Sequence, residues 1–376
     1  MRFFATCAKG TEGALRGELA GLKLPAVTGG RGGVSFEGRL EHALRACLWS
    51  RTAMRVLLEL VRFPAASAEA LYAGARAVDW SEWLTTRTTL AVESSVTSSA
   101  ITHSQFAALK VKDAVVDALR DKLGARPDVD PRDPDVRIVL HLSRDEAALS
   151  LDLAGEPLHR RGYRAAMTVA PLKETLAAAV LALGRVPAGL PFVDPMCGSG
   201  TLAIEQALAA RRLAPGLSRA FGFQRWPGYR GAVQAAWDRM KDQARAAALP
   251  RAPAPIVARD QNARALEAAH RNAAAAGVGP DVAVEEGDAR RVEPRWPEGT
   301  LCTNPPYGER LGGPGRLQIQ GLYRGLGEAF RRFHGWHAVI LSGNPLLERE
   351  LAMKAEISHR LWNGPIEARL LRYRIP

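Results

Sequence analysis

The segment that most constrains this chain is Asn304-Pro305-Pro306-Tyr307, which follows the short apolar stretch Leu301-Cys302. Two successive prolines have no N–H groups and have fixed φ angles, so neither a strand nor a helix continues through them. A buried strand must therefore end here and present Asn304 and Tyr307 on a stiff turn at its carboxyl end. In open α/β sheets, ligands bind at that edge.

The groups on this turn suit a planar substrate that bears an NH2 group. Asn304 Oδ1 and the Pro305 carbonyl can accept the two amino hydrogens, and Tyr307 can stack on the face of the ring. The sequence therefore predicts that Asn304, Pro305 and Tyr307 are catalytic residues.

The chain divides into two patterns. Residues 1 to about 155 mix short strands and helices in an α+β manner, and residues 155–164 are polar and contain Gly and Pro. From residue 172 onward, helical stretches alternate with short apolar strands, which is typical of a parallel sheet covered on both faces. The interval 213–253 interrupts this alternation with aromatic and basic residues, of which Trp226, Tyr229 and Trp237 are expected to form a local core rather than to stack on bases.

Acidic residues stand at the ends of three successive predicted strands. Asp194 precedes the turn that contains Gly198 and Gly200, Asp260 ends the next strand, and Asp288 follows the third. The third glycine of a dinucleotide-binding motif is absent, and an acid at Asp194 repels a pyrophosphate but suits a cationic amino-acid moiety. An acid at Asp260 can accept hydrogen bonds from ribose hydroxyls, and Asp288 can accept one from an adenine amino group. A single Asp at such a place is as often a loop cap, but three in series point to a ligand.

Composition limits the class of protein. The 376 residues are 47% hydrophobic and 24% charged, which is ordinary for a globular protein of two or three domains. We expect no membrane span, no signal peptide and a cytoplasmic location. The four cysteines are far apart without a Cys-x-x-Cys pair, so we also expect no metal site and no disulfide framework. The net charge of +12 is compatible with a polyanionic partner, although a genome that favours Arg would produce the same excess.

Taken in order, these motifs resemble those of class I S-adenosylmethionine-dependent methyltransferases that modify amino nitrogens. Residues 44–155 look like a THUMP domain, an RNA-binding module. Several segments are similar to one family, the bacterial 23S rRNA guanine-N2 methyltransferases of the RlmL type; they are Cys47 to Arg51, Lys110 to Ala114, Leu158 to Arg164, Ala170 to Ala179 and Asn304 to Leu311. The resemblance covers nearly the whole chain. Some members carry a second, fused methyltransferase domain, which we expect to be absent here.

The resemblance implies an α/β fold: a Rossmann-like class I methyltransferase domain with an N-terminal α+β ferredoxin-like/THUMP RNA-binding region. The implied divisions are a ferredoxin-like segment at 1–43, the THUMP domain at 44–155, a linker at 156–170 and the methyltransferase domain at 171–376. The cofactor would be S-adenosyl-L-methionine, giving S-adenosyl-L-homocysteine, and the partner would be 23S rRNA or a large-subunit assembly intermediate.

The resemblance also implies roles for particular residues. The methionine end of the cofactor would lie against Asp194, Gly198 and Gly200, while Asp260 would hold the ribose and Asp288 the adenine. The full set expected to bind the cofactor is Asp194, Met196, Cys197, Gly198, Ser199, Gly200, Thr201, Asp260, Gln261, Asp288, Ala289 and Asn304. Phosphate contacts are expected from five basic residues, for which solvated surface charge is the alternative: Lys110, Lys112, Arg160, Arg161 and Arg164.

Three alternatives to methylation of a guanine N2 in 23S rRNA, the function that the resemblance implies, remain. A THUMP-containing tRNA guanine-N2 methyltransferase would perform the same chemistry on a different RNA. A glutamine-N5 or DNA adenine methyltransferase also uses an Asn-Pro-Pro-Tyr turn, but the RNA-binding N-terminal half argues against it. A non-catalytic RNA-binding folding factor would have no need for the acids and the turn.

Overall fold

A computed structural model of the protein describes residues 1–164, 172–308 and 315–376. The last part of the predicted linker lies outside the described residues. So do the start of one family-like segment, Ala170 and Pro171, and the end of another, Glu309 to Leu311. Two seven-stranded sheets account for the architecture.

The first sheet occupies the N-terminal half. Its strands are β1 (Arg2–Thr6), β2 (Thr28–Gly30), β3 (Gly33–Glu37), β4 (Arg55–Pro64), β5 (Leu90–Thr97), β6 (Val136–Ser143) and β7 (Glu146–Asp152). Its helices are α1 (Glu12–Gly21), α2 (Leu40–Trp49), α3 (Ala68–Arg76) and α4 (Ser104–Leu123). The strand order is β2-β3-β1-β4-β7-β6-β5, and β4 pairs with both β1 and β7. The portions predicted to be ferredoxin-like and THUMP domains therefore share one continuous sheet.

The bounds of helix α4 follow from its sequence. Apolar residues recur along it at helical spacing, and Gly124 ends it with φ +73°, a left-handed conformation that favours glycine. The helix joins β5 to β6, which are the parallel pair of this sheet. The crossover explains why a 20-residue helix lies between two adjacent strands.

The second sheet occupies the C-terminal half. Its strands are β8 (Phe192–Asp194), β9 (Ile256–Asp260), β10 (Val282–Glu286), β11 (Thr300–Thr303), β12 (His337–Ser342), β13 (Ile357–Asn363) and β14 (Ile366–Arg374). Its helices are α5 (Glu174–Leu183), α6 (Thr201–Ala210), α7 (Ala232–Ala247), α8 (Ala263–Ala275), α9 (Arg316–Phe330) and α10 (Leu346–Leu351). The order is β10-β9-β8-β11-β12-β14-β13, with β10 to β12 parallel and β14 antiparallel to both of its neighbours.

Apolar cores cover both faces of the second sheet. Successive residues of β8 alternate between them: Phe192 packs with α5, α6 and α8, while Val193 packs with α9 and α10. The predicted α/β fold is thereby confirmed. No helix among the described residues combines the length and the apolar character that crossing a membrane requires.

The insertion at 213–253 joins the two halves. Trp226, Tyr229 and Trp237 do form a core, as predicted, but that core is shared with the N-terminal sheet rather than local to the insertion. Trp226 meets the edge of Trp83 with 5.6 Å between ring centroids. The Gly216 N–H donates to the Leu48 carbonyl at 2.9 Å, so main-chain bonding also crosses this interface. A segment of the C-terminal half thus fixes the N-terminal half against it.

Candidate functional site

The second sheet brings four of the predicted polar residues to one edge. Asp194 and Asp260 end the neighbouring strands β8 and β9, Asp288 follows β10 by two residues, and Asn304 follows β11 directly. Because these four strands are parallel and adjacent, their carboxyl ends lie side by side. The series of acids and the Asn-Pro-Pro-Tyr turn therefore belong to one edge.

A cavity of about 410 Å³ opens at this edge. That volume suits a ligand of cofactor size. Its lining comprises Pro195, Met196, Asp260, Gln261, Gly287, Asp288, Ala289, Arg290, Pro306, Gln318, Gly321 and Leu322. Five of the residues predicted to bind the cofactor are therefore on its wall. The other seven, including Asn304 and the Gly-containing loop, lie outside this lining.

The loop between β8 and α6 exposes main chain rather than side chains on its outer side. Gly198 and Gly200 have φ values of +54° and +82°, which favour glycine, and a Cβ at Gly198 would meet no atom within 4 Å. By contrast, Cys197, Ser199 and Thr201 are buried beneath the loop. The loop can therefore offer its main chain to a ligand while those three side chains support it from inside.

Asp194 is buried under this loop, with 1% of its surface exposed. Its Oδ1 accepts a hydrogen bond from the Met196 N–H at 3.2 Å. Burial raises the pKa of Asp194 from 3.8 to about 7, and the charge of Asp260 acts in the same direction. Asp194 therefore supports the loop from behind, at a place where a nearby cation would favour its ionised form.

Asp260 connects the loop to the next strand. Its Oδ2 accepts from the Gly198 N–H at 2.9 Å, and its Oδ1 accepts from the Asn262 N–H at 2.9 Å. Each carboxylate oxygen has a second lone pair available for a ligand hydroxyl. Asp260 therefore both lines the cavity and fixes the position of the glycine loop.

Asp288 has a partner that the sequence reasoning missed. The guanidinium of Arg290 lies against it, with 2.6 Å between Nη2 and Oδ2, and this hydrogen bond holds the pKa of Asp288 below its usual value. Arg290 also lines the cavity. Its place two residues after Asp288 is the only sequence signal that could have revealed it. A ligand amino group would share the Asp288 carboxylate with this arginine.

The Asn-Pro-Pro-Tyr turn has an internal hydrogen bond. The Tyr307 hydroxyl donates to Asn304 Oδ1 at 2.7 Å, so the two predicted catalytic side chains are already in contact. A Cβ on Gly343 would come within 2.7 Å of Tyr307 Cδ2, which shows how closely the ring packs on that main chain. The hydroxyl fixes the direction of the amide, and the second lone pair of Oδ1 can still accept a substrate hydrogen.

Two further residues bind the main chain of the turn, and the sequence reasoning did not identify either. The Tyr323 hydroxyl donates to the Pro306 carbonyl at 2.7 Å, and Asn344 Nδ2 donates to the Tyr307 carbonyl at 2.8 Å. Asn344 follows β12, the next strand of the edge, and that position was its only signal in the sequence. Tyr323 lies within α9, where its helical spacing is that of any core residue.

The linker arginines are not equivalent. Arg161 is 5% exposed, forms an ion pair with Glu205 at 3.5 Å and donates to the Leu158 carbonyl at 2.8 Å. Arg164 pairs with the buried Glu174 at 2.9 Å. The expectation that these two guanidinium groups reach phosphates needs correction, because buried carboxylates already hold them. Arg160, which pairs with Glu156, leaves 67% of its side chain exposed.

The predicted basic residues of α4 are half-buried and lie on the N-terminal half, apart from the cavity lining. The Lys110 ammonium is 5.8 Å from the Tyr72 ring centroid, and Lys112 Nζ is 2.7 Å from Asp113 Oδ1. Neither contact is deeply buried, so both ammonium groups can exchange partners. Over the described ranges, no group of three or more His, Cys, Asp or Glu side chains has the arrangement of a metal site.

Comparison with known families matches three parts of the chain. The profile of RMKL-like methyltransferase domains matches residues 161–371. The THUMP domain profile matches residues 65–152, and the profile of RlmL ferredoxin-like domains matches residues 2–57.

A relative of known name is similar along the whole chain. The ribosomal RNA large subunit methyltransferase K/L of Syntrophotalea carbinolica is 45% identical over 388 residues, which cover 100% of this chain and 54% of that protein. The chain thus spans about half the length of the curated relatives it matches.

Two crystal structures are also similar over nearly their whole length. SMU.472, complexed with SAH, has a TM-score of 0.91 and 30% identity, covering 100% of this chain and 98% of that one. A protein from Listeria monocytogenes, described as a predicted N6-adenine-specific DNA methylase, has a TM-score of 0.89 and 30% identity, with coverage of 100% and 96%.

Proposed function

Because this chain belongs to the RMKL-like methyltransferase domain family, we propose that it transfers a methyl group from S-adenosylmethionine to the exocyclic N2 of a guanine in 23S rRNA. The observation that carries the proposal is the position of the Asn304–Tyr307 turn at the edge of a cavity lined by Asp260 and Asp288. An acceptor for an amine thus stands beside a site of cofactor size.

The residues at the edge fit S-adenosylmethionine. Asp260 would accept from the ribose hydroxyls, and the Asp288–Arg290 pair would meet the adenine. The main chain at Gly198 is open to a close approach, and Asp194 beneath it would favour the cationic methionine end. When bound, this cofactor supplies an electrophilic methyl group.

The turn would then activate and aim the amine. The lone pair of guanine N2 is delocalised into the ring, so the amine is a weak nucleophile. Asn304 Oδ1 and the Pro305 carbonyl would accept its two hydrogens and localise density on nitrogen. Among the described residues, donors already occupy the carbonyls of Pro306 and Tyr307 but not that of Pro305.

No strong base is required for this reaction. The amine becomes acidic as the N–CH3 bond forms, and N2 then releases one proton to solvent. Orientation and electrostatics would provide most of the rate enhancement. The Tyr307 ring would stack on the guanine, while its hydroxyl holds Asn304 in place.

The N-terminal half, residues 1–155, would supply the RNA-binding surface. Residues 171–376 would supply the site of methyl transfer. A THUMP profile matches within the first part. Phosphate contacts would come from Lys110, Lys112 and the exposed Arg160. A paired guanine must be unstacked before it reaches the turn, at a cost of roughly a few kcal/mol, which such contacts would offset.

Two rival substrates share this chemistry. A tRNA guanine would use the same turn, and only the shape of the RNA distinguishes it. The similarity to the Listeria monocytogenes protein favours an adenine amino group in DNA as the second rival. The similarity to a ribosomal RNA large subunit methyltransferase K/L, 45% identical along the whole of this chain, supports the rRNA proposal over both.

Methyl transfer to isolated nucleic acids tests the proposal. The chain is incubated with methyl-labelled S-adenosylmethionine and total RNA that lacks the modification, and nucleases then map the labelled nucleoside. We expect N2-methylguanosine in 23S rRNA, and much slower labelling when Asn304→Ala replaces the wild type. Label in tRNA would support the first rival, and N6-methyladenine in a parallel DNA reaction would support the second.

A further inference from the structure

Residues remote in the sequence hold the main chain of the Asn-Pro-Pro-Tyr turn. The Tyr323 hydroxyl is 2.7 Å from the Pro306 carbonyl oxygen, and Asn344 Nδ2 is 2.8 Å from the Tyr307 carbonyl oxygen. Prolines carry no N–H, so a turn with two of them has few hydrogen bonds of its own. The position of this turn therefore depends on groups that bind its carbonyls.

Tyr323 is built to act as a fixed donor. The residue is 0% exposed and packs in the apolar core formed by α9, α10 and the sheet. Burial raises the pKa of Tyr323 to about 12, so the hydroxyl keeps its proton at any ordinary pH. Because its ring is enclosed, the hydroxyl has a fixed position, and its hydrogen bond therefore fixes the position of the Pro306 carbonyl.

Asn344 is oriented by its other contacts. Its Oδ1 accepts from the Leu346 N–H at 2.9 Å, beside the start of α10, which leaves Nδ2 to face the turn. Its main-chain N–H donates to Ser342 Oγ at 3.1 Å, so the backbone is fixed as well. The side chain is therefore held in the one rotamer from which its amide donates to the Tyr307 carbonyl.

These two contacts determine which acceptor remains for the substrate. With the carbonyls of Pro306 and Tyr307 occupied, the turn cannot rotate about its ends without breaking a hydrogen bond. The Pro305 carbonyl and Asn304 Oδ1 then keep a fixed position relative to each other, and both remain available as acceptors. A shift of the turn by a fraction of an ångström would misalign both acceptors with a single amine.

We propose that Tyr323 and Asn344 are positioning residues for methyl transfer, which hold Asn304 and Pro305 in the geometry that the substrate amine requires. This inference rests on the proposed function for its catalytic meaning. It deepens that function because it adds two residues that lie outside the cavity lining.

The variants Tyr323→Phe and Asn344→Asp test it. The first removes one hydroxyl, and the second removes the donor to Tyr307 while keeping the oxygen that accepts from Leu346. Tyr373→Phe is a matched control, since Tyr373 is 1% exposed in the same core and its buried hydroxyl has no partner among the described residues.

We expect kcat to fall by about 10- to 100-fold in both variants, as for other small misplacements of reacting groups. The KM for RNA and the Kd for S-adenosylmethionine should stay within about twofold, because neither residue is part of the cavity lining. Tyr373→Phe should match the wild type. A purely structural role would instead change the melting temperature and all three constants together.

Amide hydrogen exchange gives a readout without any substrate. The peptide that contains residues 303–308 should exchange faster in Tyr323→Phe and Asn344→Asp, and at the wild-type rate in Tyr373→Phe. Wild-type exchange and wild-type kcat in both variants would overturn the inference. A wild-type chain that methylates no RNA would refute the proposed function instead, and the exchange rates would still decide whether these residues hold the turn.

Discussion

The two halves of the ligand-binding edge are held in place by different means. On the cofactor half, Asp194 and Asp288 each accept an N–H from a residue two positions later. On the substrate half, the turn receives side chains that come from 17 and 37 residues further along the chain. Contacts within single loops thus hold Asp194 and Asp288, and the contact of Asp260 with the Gly198 N–H is the long-range exception on that half. On the substrate half, the main chain of the turn is held by side chains remote in the sequence.

This difference separates the expected consequences of mutation. A change at a strand-end acid would remove a proposed cofactor contact and would leave the groups that hold the Asn-Pro-Pro-Tyr turn in place. A change at the Asn-Pro-Pro-Tyr turn or its supports leaves the strand-end acids in place and touches the cavity wall only at Pro306, but it would move the proposed acceptors of the amine. We therefore expect cofactor affinity and turnover to respond to different residues.

The largest effect should come from Asn304→Ala. This change would remove the proposed acceptor for a hydrogen of the substrate amine, and loss of one such preorganised group lowers kcat by roughly 10²- to 10³-fold in other enzymes. The Kd for S-adenosylmethionine, measured by calorimetry, should change by less than about threefold. A large loss of cofactor affinity with little loss of kcat would contradict the expectation that cofactor affinity and turnover depend on different halves of the edge.

Asp260→Ala should have the opposite signature. Hydrogen bonds to a charged group are worth about 1.5–3 kcal/mol, so the Kd for S-adenosylmethionine should rise by about 10- to 100-fold. At saturating cofactor, kcat should return close to the wild-type value. Asp260→Asn, which keeps one carbonyl oxygen, is the milder control. A kcat that stays low at saturation would show that this acid also orients the amine.

The same contrast explains what the sequence could predict. Acids at strand ends are visible because the strands are short apolar runs and the polar residue follows at once, as for Asp194 and Asp260. The family membership inferred from these motifs is confirmed. Arg290 was missed because an arginine two residues after an acid is common on any surface. Tyr323 was missed because its hydroxyl acquires a role only through the packing of α9.

The linker shows where charge misleads. Arg160 and Arg161 are adjacent in the sequence and equally basic, so composition gives no reason to separate them. In the fold, Arg161 faces the buried Glu205, while Arg160 remains largely exposed. Burial depends on which side of the linker meets α6, and no local pattern encodes that contact.

The smallest expected effect concerns stability rather than ligands. Burial raises the pKa of Asp194 from 3.8 to about 7, so the folded protein favours the neutral carboxyl. That stabilising contribution is complete below about pH 4 and is lost as the pH rises through about 7. Asp194→Asn stays neutral throughout, so its stability advantage over the wild type should grow by roughly 2.5 kcal/mol in free energy of unfolding from pH 5 to pH 8.

Urea titrations of the cofactor-free protein at the two pH values measure this difference. Asp288→Asn is the matched control, because the pKa of Asp288 is lowered by Arg290 and its carboxylate is already ionised at pH 5. Its effect on stability should therefore be the same at both pH values. A stability difference for Asp194→Asn that does not change with pH would mean that Asp194 is ionised in the fold. The cofactor half would then contain a permanent buried charge, and the S-adenosylmethionine cation would be attracted to a carboxylate that is already formed.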